Sequence, residues 1–292
     1  MTIALLLPIP GEAGNWHRGE SLVCSDCHTM HGSQSHSWGG TAPVSPTPVP
    51  GGDWLSATAP SSKLLKAAPD QLCIACHDGS TSGAPDVIAP VGYVADPAGG
   101  AFESTNAPSA LGHDLGGTAP VVPPLGNTAV LLTCRTCHDP HGNSSFRNLR
   151  PRPSGSPLGV DVPVVVTEGV VANGSNAAQV YVASNLTYRS GTSAWCMDCH
   201  DTYADAVTAG TKHSTDRTIY GSISASYAGW TAVSTARVRV ENPTEPVVPS
   251  QDDRVFCLSC HKAHGSANPS ALIYADGITV DSTCVQCHSQ HP

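Results

Sequence analysis

The sequence predicts mostly irregular coil, with short helices and a few short strands, in a chain whose interior is not made by side chains alone. Aromatic residues are only 5% of the 292 residues, and Phe and Met occur three times each. The 28 glycines and 25 prolines favour turns and loops over long regular elements. Because such a composition buries little apolar surface, another group has to complete the interior. The 12 cysteines indicate which group this is.

All 12 cysteines fall in six units of the form Cys-x-x-Cys-His. The pairs are Cys24 and Cys27, Cys73 and Cys76, Cys134 and Cys137, Cys196 and Cys199, Cys257 and Cys260, and Cys284 and Cys287. Two thiols at this spacing reach the two vinyl groups of one porphyrin, and the next histidine meets the iron from the same side. The sequence therefore predicts six covalent haem c groups, with these proximal ligands: His28, His77, His138, His200, His261 and His288.

Zinc knuckles and a disulfide framework are the competing interpretations of paired cysteines. Neither requires a histidine directly after every pair. With 14 histidines in 292 residues, six such histidines would arise by chance with odds on the order of one in 10⁷ to 10⁸. Haem attachment therefore explains the pattern better than either alternative.

Eight further histidines could supply the second axial ligands, and six are needed. Three of them, His31, His141 and His264, lie three residues after a proximal histidine. In a helical turn, residues at this spacing point the same way, so the second histidine is placed to bind a different haem. His17, His113 and His213 complete the predicted set, whereas His36 and His291 are the two expected spares. A chain rich in histidine and poor in methionine favours low-potential, six-coordinate haems.

The six motifs begin at residues 24, 73, 134, 196, 257 and 284, without a fixed repeat length. Short helices are expected at the motifs, and a hairpin is expected from residues 162–171 and 179–183, with a further strand at 236–240. Residues 1–14 read as the remnant of a signal peptide, and 15–292 as a single hexahaem domain. The net charge of -9 and pI near 5.8 disfavour a nucleic-acid partner. No apolar run has the length of a membrane span.

The motifs and their surroundings resemble the hexahaem cytochromes of the extracellular conductive-filament (cytochrome nanowire) family. The likeness includes His17 before the first motif, the first motif's Cys-His-Thr-Met-His and Gly-His before the third motif. It continues with Cys-His-Asp-Pro-His-Gly, Trp195 before the fourth motif, His213 after it, and Cys-Leu-Ser-Cys-His-x-Ala-His. This chain is shorter than those relatives, chiefly between the last two motifs, and its loops differ.

The resemblance implies that six histidines are the distal ligands: His17, His31, His113, His141, His213 and His264. It also implies a head-to-tail filament in which His31 binds the haem of Cys257, Cys260 and His261 in the neighbouring protomer. The resulting interpretation is electron transfer outside the cell or at its surface, after export through the periplasm, to other redox proteins or extracellular acceptors.

Two alternatives to this function remain open at the level of sequence. One is a monomeric periplasmic electron shuttle with the same haems. The other is a multihaem reductase of a small oxyanion, which would need an iron with an open position. Because all six motifs end in histidine and distal histidines are in surplus, we expect no enzymatic activity.

Overall fold

A computed structural model describes about half of the chain, grouped around the first five motifs. The described residues are 17, 24–28, 65, 69–78, 84, 86–88, 100, 102, 112–113, 115, 119–143, 145–155, 159, 161–168, 186–204, 210, 213–218, 240–244, 252–266 and 268–273. The predicted leader, residues 1–14, and the sixth motif lie outside this set. No helix in the described ranges is long and apolar enough to cross a membrane.

Short helices form at each of the five described motifs, as the sequence predicts. They are α1 (Cys24–Cys27), α2 (Pro69–Ile74), α3 (Cys134–Cys137), α4 (Thr192–Met197) and α5 (Cys257–Cys260). After α3 and α5 the backbone of the proximal histidine is extended, with φ -110° at His138 and -116° at His261. Each helix therefore ends where its histidine begins.

A hydroxyl two residues after the first cysteine stabilises the start of α3 and of α5. Thr136 Oγ1 accepts the backbone N–H of Thr133 at 3.1 Å, and Ser259 Oγ accepts that of Phe256 at 3.1 Å. Helix starts leave backbone groups unsatisfied, and a side-chain hydroxyl can supply a local partner. Both hydroxyl residues are buried.

The predicted hairpin is present, but its second strand is displaced along the sequence. Strand β1 (Val165–Glu168) pairs antiparallel with β2 (Leu186–Ser190), with Val166 opposite Tyr188. The first strand lies within the predicted range, whereas β2 lies after the predicted partner segment, 179–183, in the chain. Residues 179–183, and all but Val240 of the strand predicted at 236–240, lie outside the described residues.

The side-chain core between these elements is small and aromatic. Tyr188 packs edge-on to Phe146, with ring centroids 6.0 Å apart, and against Phe256 at 5.1 Å. Leu149, Val166 and Leu258 surround this group. The cluster ties the hairpin to the chain around α3 and α5.

An internal repeat relates two stretches of the chain, although successive motifs have no fixed spacing. Cys196 lies 123 residues after Cys73, and Cys257 lies 123 residues after Cys134. Corresponding hydrogen bonds follow the same offset: Asp70 Oδ1 accepts Cys134 N–H at 2.9 Å, and Ser193 Oγ accepts Cys257 N–H at 3.4 Å. Residues 69–150 and 192–273 are therefore two copies of one unit, which we call the first and the second copy.

Candidate haem-binding site

Each described Cys-x-x-Cys-His unit places both thiols and the histidine around one helical turn. The histidine N–H donates to the carbonyl of the first cysteine in all five described motifs, at 2.9 Å for His28, 3.0 Å for His77 and 2.9 Å for His138. The distance is 3.1 Å for both His200 and His261. This turn holds the two thiols and the imidazole on one side of a common centre, as two thioethers and a proximal ligand require.

Four proximal histidines face a second histidine that comes from another part of the chain. The ring centroids of His77 and His17 are 6.2 Å apart, and those of His28 and His141 are 6.3 Å apart. The other two pairs are His138 with His264, at 6.2 Å, and His200 with His113, at 6.3 Å.

The separation of these rings fits the two axial positions of one iron. A metal–nitrogen bond of about 2 Å and about 1 Å from the nitrogen to the ring centre, on each side, place the centroids about 6 Å apart. In the part of the chain that is described, no three His, Cys, Asp or Glu side chains form a metal cluster, and the ten described cysteines form no disulfide with one another.

Backbone carbonyls orient the rings through Nδ1. His138 Nδ1 donates to the Arg147 carbonyl at 2.9 Å, and His261 Nδ1 donates to the Ser270 carbonyl at 2.8 Å. A carbonyl only accepts, so the proton lies on Nδ1 and the lone pair of Nε2 is available to a metal. Equivalent bonds run from His17 to Pro140 at 2.9 Å, and from His113 to Ala263 and His200 to Pro124, each at 2.6 Å.

The backbone is strained where it presents two of these carbonyls. Arg147 and Asn148 have φ of 51° and 55°, and the corresponding residues Ser270 and Ala271 have 60° and 56°. Residues other than glycine rarely adopt this left-handed backbone conformation, which costs on the order of 1–3 kcal/mol. Its presence in both copies indicates that the turn is retained to aim a carbonyl at the proximal histidine.

Burial keeps His264 neutral. Burial, together with the nearby His138 and His113, lowers the pKa of His264 to about 3. Phe102 stacks on the His264 ring with centroids 4.6 Å apart. Glycine is required beside it, because a Cβ on Gly112 would lie 2.5 Å from the Gly265 Cα and from the His264 carbonyl oxygen. A neutral, tightly held imidazole is the form that binds iron.

The thiols of neighbouring motifs meet in both copies. Cys73 and Cys134 lie within hydrogen-bonding contact, as do Cys196 and Cys257. These contacts join the second motif to the third and the fourth to the fifth. The attachment points of successive motifs are thus adjacent.

The remaining predicted ligands are less completely described. His213 donates Nδ1 to the Ser214 carbonyl at 2.8 Å, and its own carbonyl accepts the Tyr203 hydroxyl. Among the described histidines, none faces His261 as the four paired rings face each other. The predicted ligands His31 and His288, the predicted spares His36 and His291, and Cys284 and Cys287 lie outside the described residues.

Sequence reasoning missed which histidines pair and which carbonyls orient them. A comparison of the third and fifth motifs could have found part of this. Both contain Cys-x-x-Cys-His-x-x-His-Gly, and in both the carbonyl that accepts the proximal Nδ1 comes nine residues after the histidine. The partners of His17 and His113 have no such local signal, because the carbonyls that these histidines bind are 123 and 150 residues away in the chain.

Comparisons with known proteins concern the attachment motif and the fold. Residues 248–292 match a family described as a doubled CXXCH motif. The fold is similar to a solved structure, the Outer Membrane Cytochrome S Filament from Geobacter sulfurreducens, with a TM-score of 0.52 and 19% identity. The similarity covers 88% of this chain and 84% of that one. A comparison with curated proteins finds no match. The chain therefore has the fold of a multihaem cytochrome and carries the attachment motifs of c-type haem.

Proposed function

We propose that this chain is an exported electron-transfer protein with six covalent haem c groups, each bound by two histidines, and that its protomers join head to tail into a filament. The observation that carries the proposal is the set of four facing histidine pairs, with centroids 6.2–6.3 Å apart. When bound, haem supplies a reversible one-electron iron couple. The protein holds the histidine ligands and sets the distances between neighbouring haems.

The contacts between motifs support a continuous path for electrons. His17 faces His77 of the second motif and donates to the carbonyl of Pro140. Pro140 precedes His141, which faces His28 of the first motif. His113, which faces His200 of the fourth motif, bonds to Ala263 beside His264, which faces the third. Thiol contacts join the second motif to the third and the fourth to the fifth. The first five sites thus follow one another in chain order.

The internal repeat supports filament formation. The first motif's His28 faces His141 of the third motif, and the third motif's His138 faces His264 of the fifth. By the same rule, the fifth motif's His261 takes the second histidine of the next Cys-x-x-Cys-His-x-x-His unit. The next such unit belongs to the first motif of a second protomer, so its ligand is His31. A contact between two different surfaces of one protein repeats without closing and gives an open filament.

A second regularity, in the histidines that precede alternate motifs, assigns a haem to His213. His17 precedes the first motif and faces the second motif's histidine, and His113 precedes the third motif and faces the fourth's. His213 precedes the fifth motif, so we assign it to His288 of the sixth. Every iron then has two histidine ligands, and no open position is left for a substrate. We therefore propose that the protein acts outside the cell or at its surface, with redox proteins or extracellular acceptors as partners, and is not an enzyme.

The first prediction concerns the number of haems. The intact mass under denaturing, reducing conditions should exceed that of the mature polypeptide by six haems, because six motifs use all 12 cysteines. Covalently attached haem stays on the polypeptide when the protein is denatured, whereas bound zinc is released. Free thiols in the mature protein, bound zinc, or fewer than five haems would refute the assignment.

The second prediction concerns axial ligation. The protein should be fully low-spin in both oxidation states and bind little carbon monoxide. His264→Ala should convert one haem in six to five-coordinate, because His264 is the ring that faces His138 at 6.2 Å. His36→Ala, which removes a predicted spare, is the matched control and should stay low-spin. A stable high-spin signal in the unaltered protein would favour the reductase alternative instead.

A further inference from the structure

A buried glutamate lies beside the fifth motif. Glu241 is 4% exposed, and its Oε1 accepts the backbone N–H of Thr192 at 3.2 Å. The hydroxyl of Thr192, itself 5% exposed, faces the same carboxyl but reaches no partner in hydrogen-bonding geometry. Carboxylates are costly to bury unless a cation or several donors compensate the charge.

No cation compensates Glu241 among the described residues. The backbones of Glu241 and Arg254 pair at 3.0 and 2.8 Å, yet the ion pairs of the described ranges do not involve this carboxyl. Arg254 Nε is buried and has no hydrogen-bond acceptor. Burial raises the pKa of Glu241, an effect opposed by the Thr192 backbone and reinforced by Asp216.

Asp216 connects this carboxyl with solvent. It is an exposed residue whose side chain contacts that of Glu241. Burial of its carboxyl raises the pKa of Asp216, while the nearby Arg254 lowers it.

Two other charged groups of this region, Asp253 and Arg189, have hydrogen-bond partners of their own. Asp253 accepts the Asn242 side-chain amide at 2.8 Å, and Arg189 of β2 donates to the Asn242 carbonyl at 3.4 Å. Glu241 and Asp216 are therefore the carboxyls whose charge responds to a change nearby.

A short series of contacts links Glu241 with the attachment point of the fifth haem. Thr192, its hydrogen-bond donor, precedes Ser193, whose Oγ accepts the Cys257 N–H at 3.4 Å. Both Glu241 and Asp216 act electrostatically on the Cys257 sulfur. In the sequence of the first copy, Thr118 and Leu131 align with Glu241 and Arg254 at the offset of 123 residues.

We infer that Glu241 is a proton-binding site coupled to electron uptake at the cofactor attached to Cys257, with Asp216 as its connection to solvent. The inference rests on the proposed haem attachment at this motif. Glu241 changes from carboxylate to carboxylic acid by taking one proton from solvent as the iron bound by His261 takes one electron. The electron comes from the neighbouring site at His200 or, in the experiment, from an electrode.

The direction of the coupling follows from charge. Electron uptake removes one positive charge near Glu241, which favours its protonated form and raises its pKa further. Proton binding in turn favours the reduced iron, since linkage is reciprocal. The reduction potential should therefore fall as pH rises between the two pKa values of Glu241, a window that begins above the ordinary 4.5.

The test measures proton uptake on complete electrochemical reduction, with a pH indicator, from roughly pH 4 to 9. The unaltered protein should show one pH-dependent potential with a slope of up to about 59 mV per pH unit, the value for one proton per electron. Glu241→Gln should lose up to about one proton per protomer within that window. Infrared difference spectra should lose the matching carboxylic-acid band.

Asp161→Asn is the matched control, because it removes one carboxylate from the exposed pair with Arg152 and should change neither readout. Mass spectrometry of each variant counts the haems. A six-haem Glu241→Gln protein with unchanged proton uptake overturns the inference. If that variant does not mature with six haems, Asp216→Asn is the test instead. This change should move the pH range of the proton uptake to lower pH, and an unchanged range overturns the inference. Loss of haem from the unaltered protein would instead refute the proposed function.

Discussion

Replacement of His31 by alanine should leave six haems on each protomer and abolish or greatly shorten the filaments. The two described joints of this kind each use a histidine three residues after a proximal one, at His141 and at His264. His31 is the third residue of this type, and within the chain no motif remains for it to serve. Its loss should remove the ligand that joins two protomers and leave one haem in six five-coordinate.

Negative-stain microscopy gives the filament length, and absorption spectra of the same sample give the spin state. His36→Ala is the matched control, since it removes a nearby histidine that the ligand count leaves unused. Normal filaments with fully low-spin spectra in the His31→Ala protein would show that His31 does not join protomers. Absence of filaments in the unaltered protein, with six low-spin haems, would favour the monomeric shuttle.

The attachment chemistry could be predicted from sequence because it is local. Cys134, Cys137 and His138 lie within one turn of helix, and their spacing alone fixes their relation to one porphyrin. The short helices and the coil-rich fold follow from the same motifs and from the glycine and proline content. The count of histidines also limited the distal set to eight candidates for six positions.

Long-range partners could not be predicted, since nothing local distinguishes them. The sequence did not predict Leu186–Ser190 as the partner of β1, which packing of Tyr188 between Phe146 and Phe256 selects. This is a tertiary effect that strand propensity does not contain. The buried Glu241 had no sequence signal either, because its environment comes from segments 49 residues apart in the chain.

Removal of residues 134–256 should give a protein with four haems that still has two ligands for every iron. The deletion removes 123 residues, the offset between the two copies, and joins Thr133 to Cys257, which then takes the place of its equivalent Cys134. Asp70, which accepts the Cys134 N–H at 2.9 Å, would accept that of Cys257 instead. The motifs that begin at Cys24, Cys73, Cys257 and Cys284 remain.

The ligands of the shortened chain follow from the pairing rule. His264 replaces His141 as the partner of His28, and His17 keeps its place opposite His77. His113 then precedes the motif of Cys257 and takes the role of His213 toward His288. His31 of the next protomer again binds the iron of His261. The expected result is four haems by mass, low-spin spectra and filaments with a shorter axial repeat, measured by electron microscopy.

A second deletion of the same length provides the control. Removal of residues 113–235 keeps the same four motifs but takes out both His113 and His213. It should also carry four haems, of which one is five-coordinate, because the iron of His288 then has no distal histidine. If both deletions are fully low-spin, neither histidine serves that iron. If both contain one five-coordinate haem, His113 cannot replace His213. Two or more five-coordinate haems in the first deletion would refute the equivalence of His141 and His264, on which the filament joint itself depends.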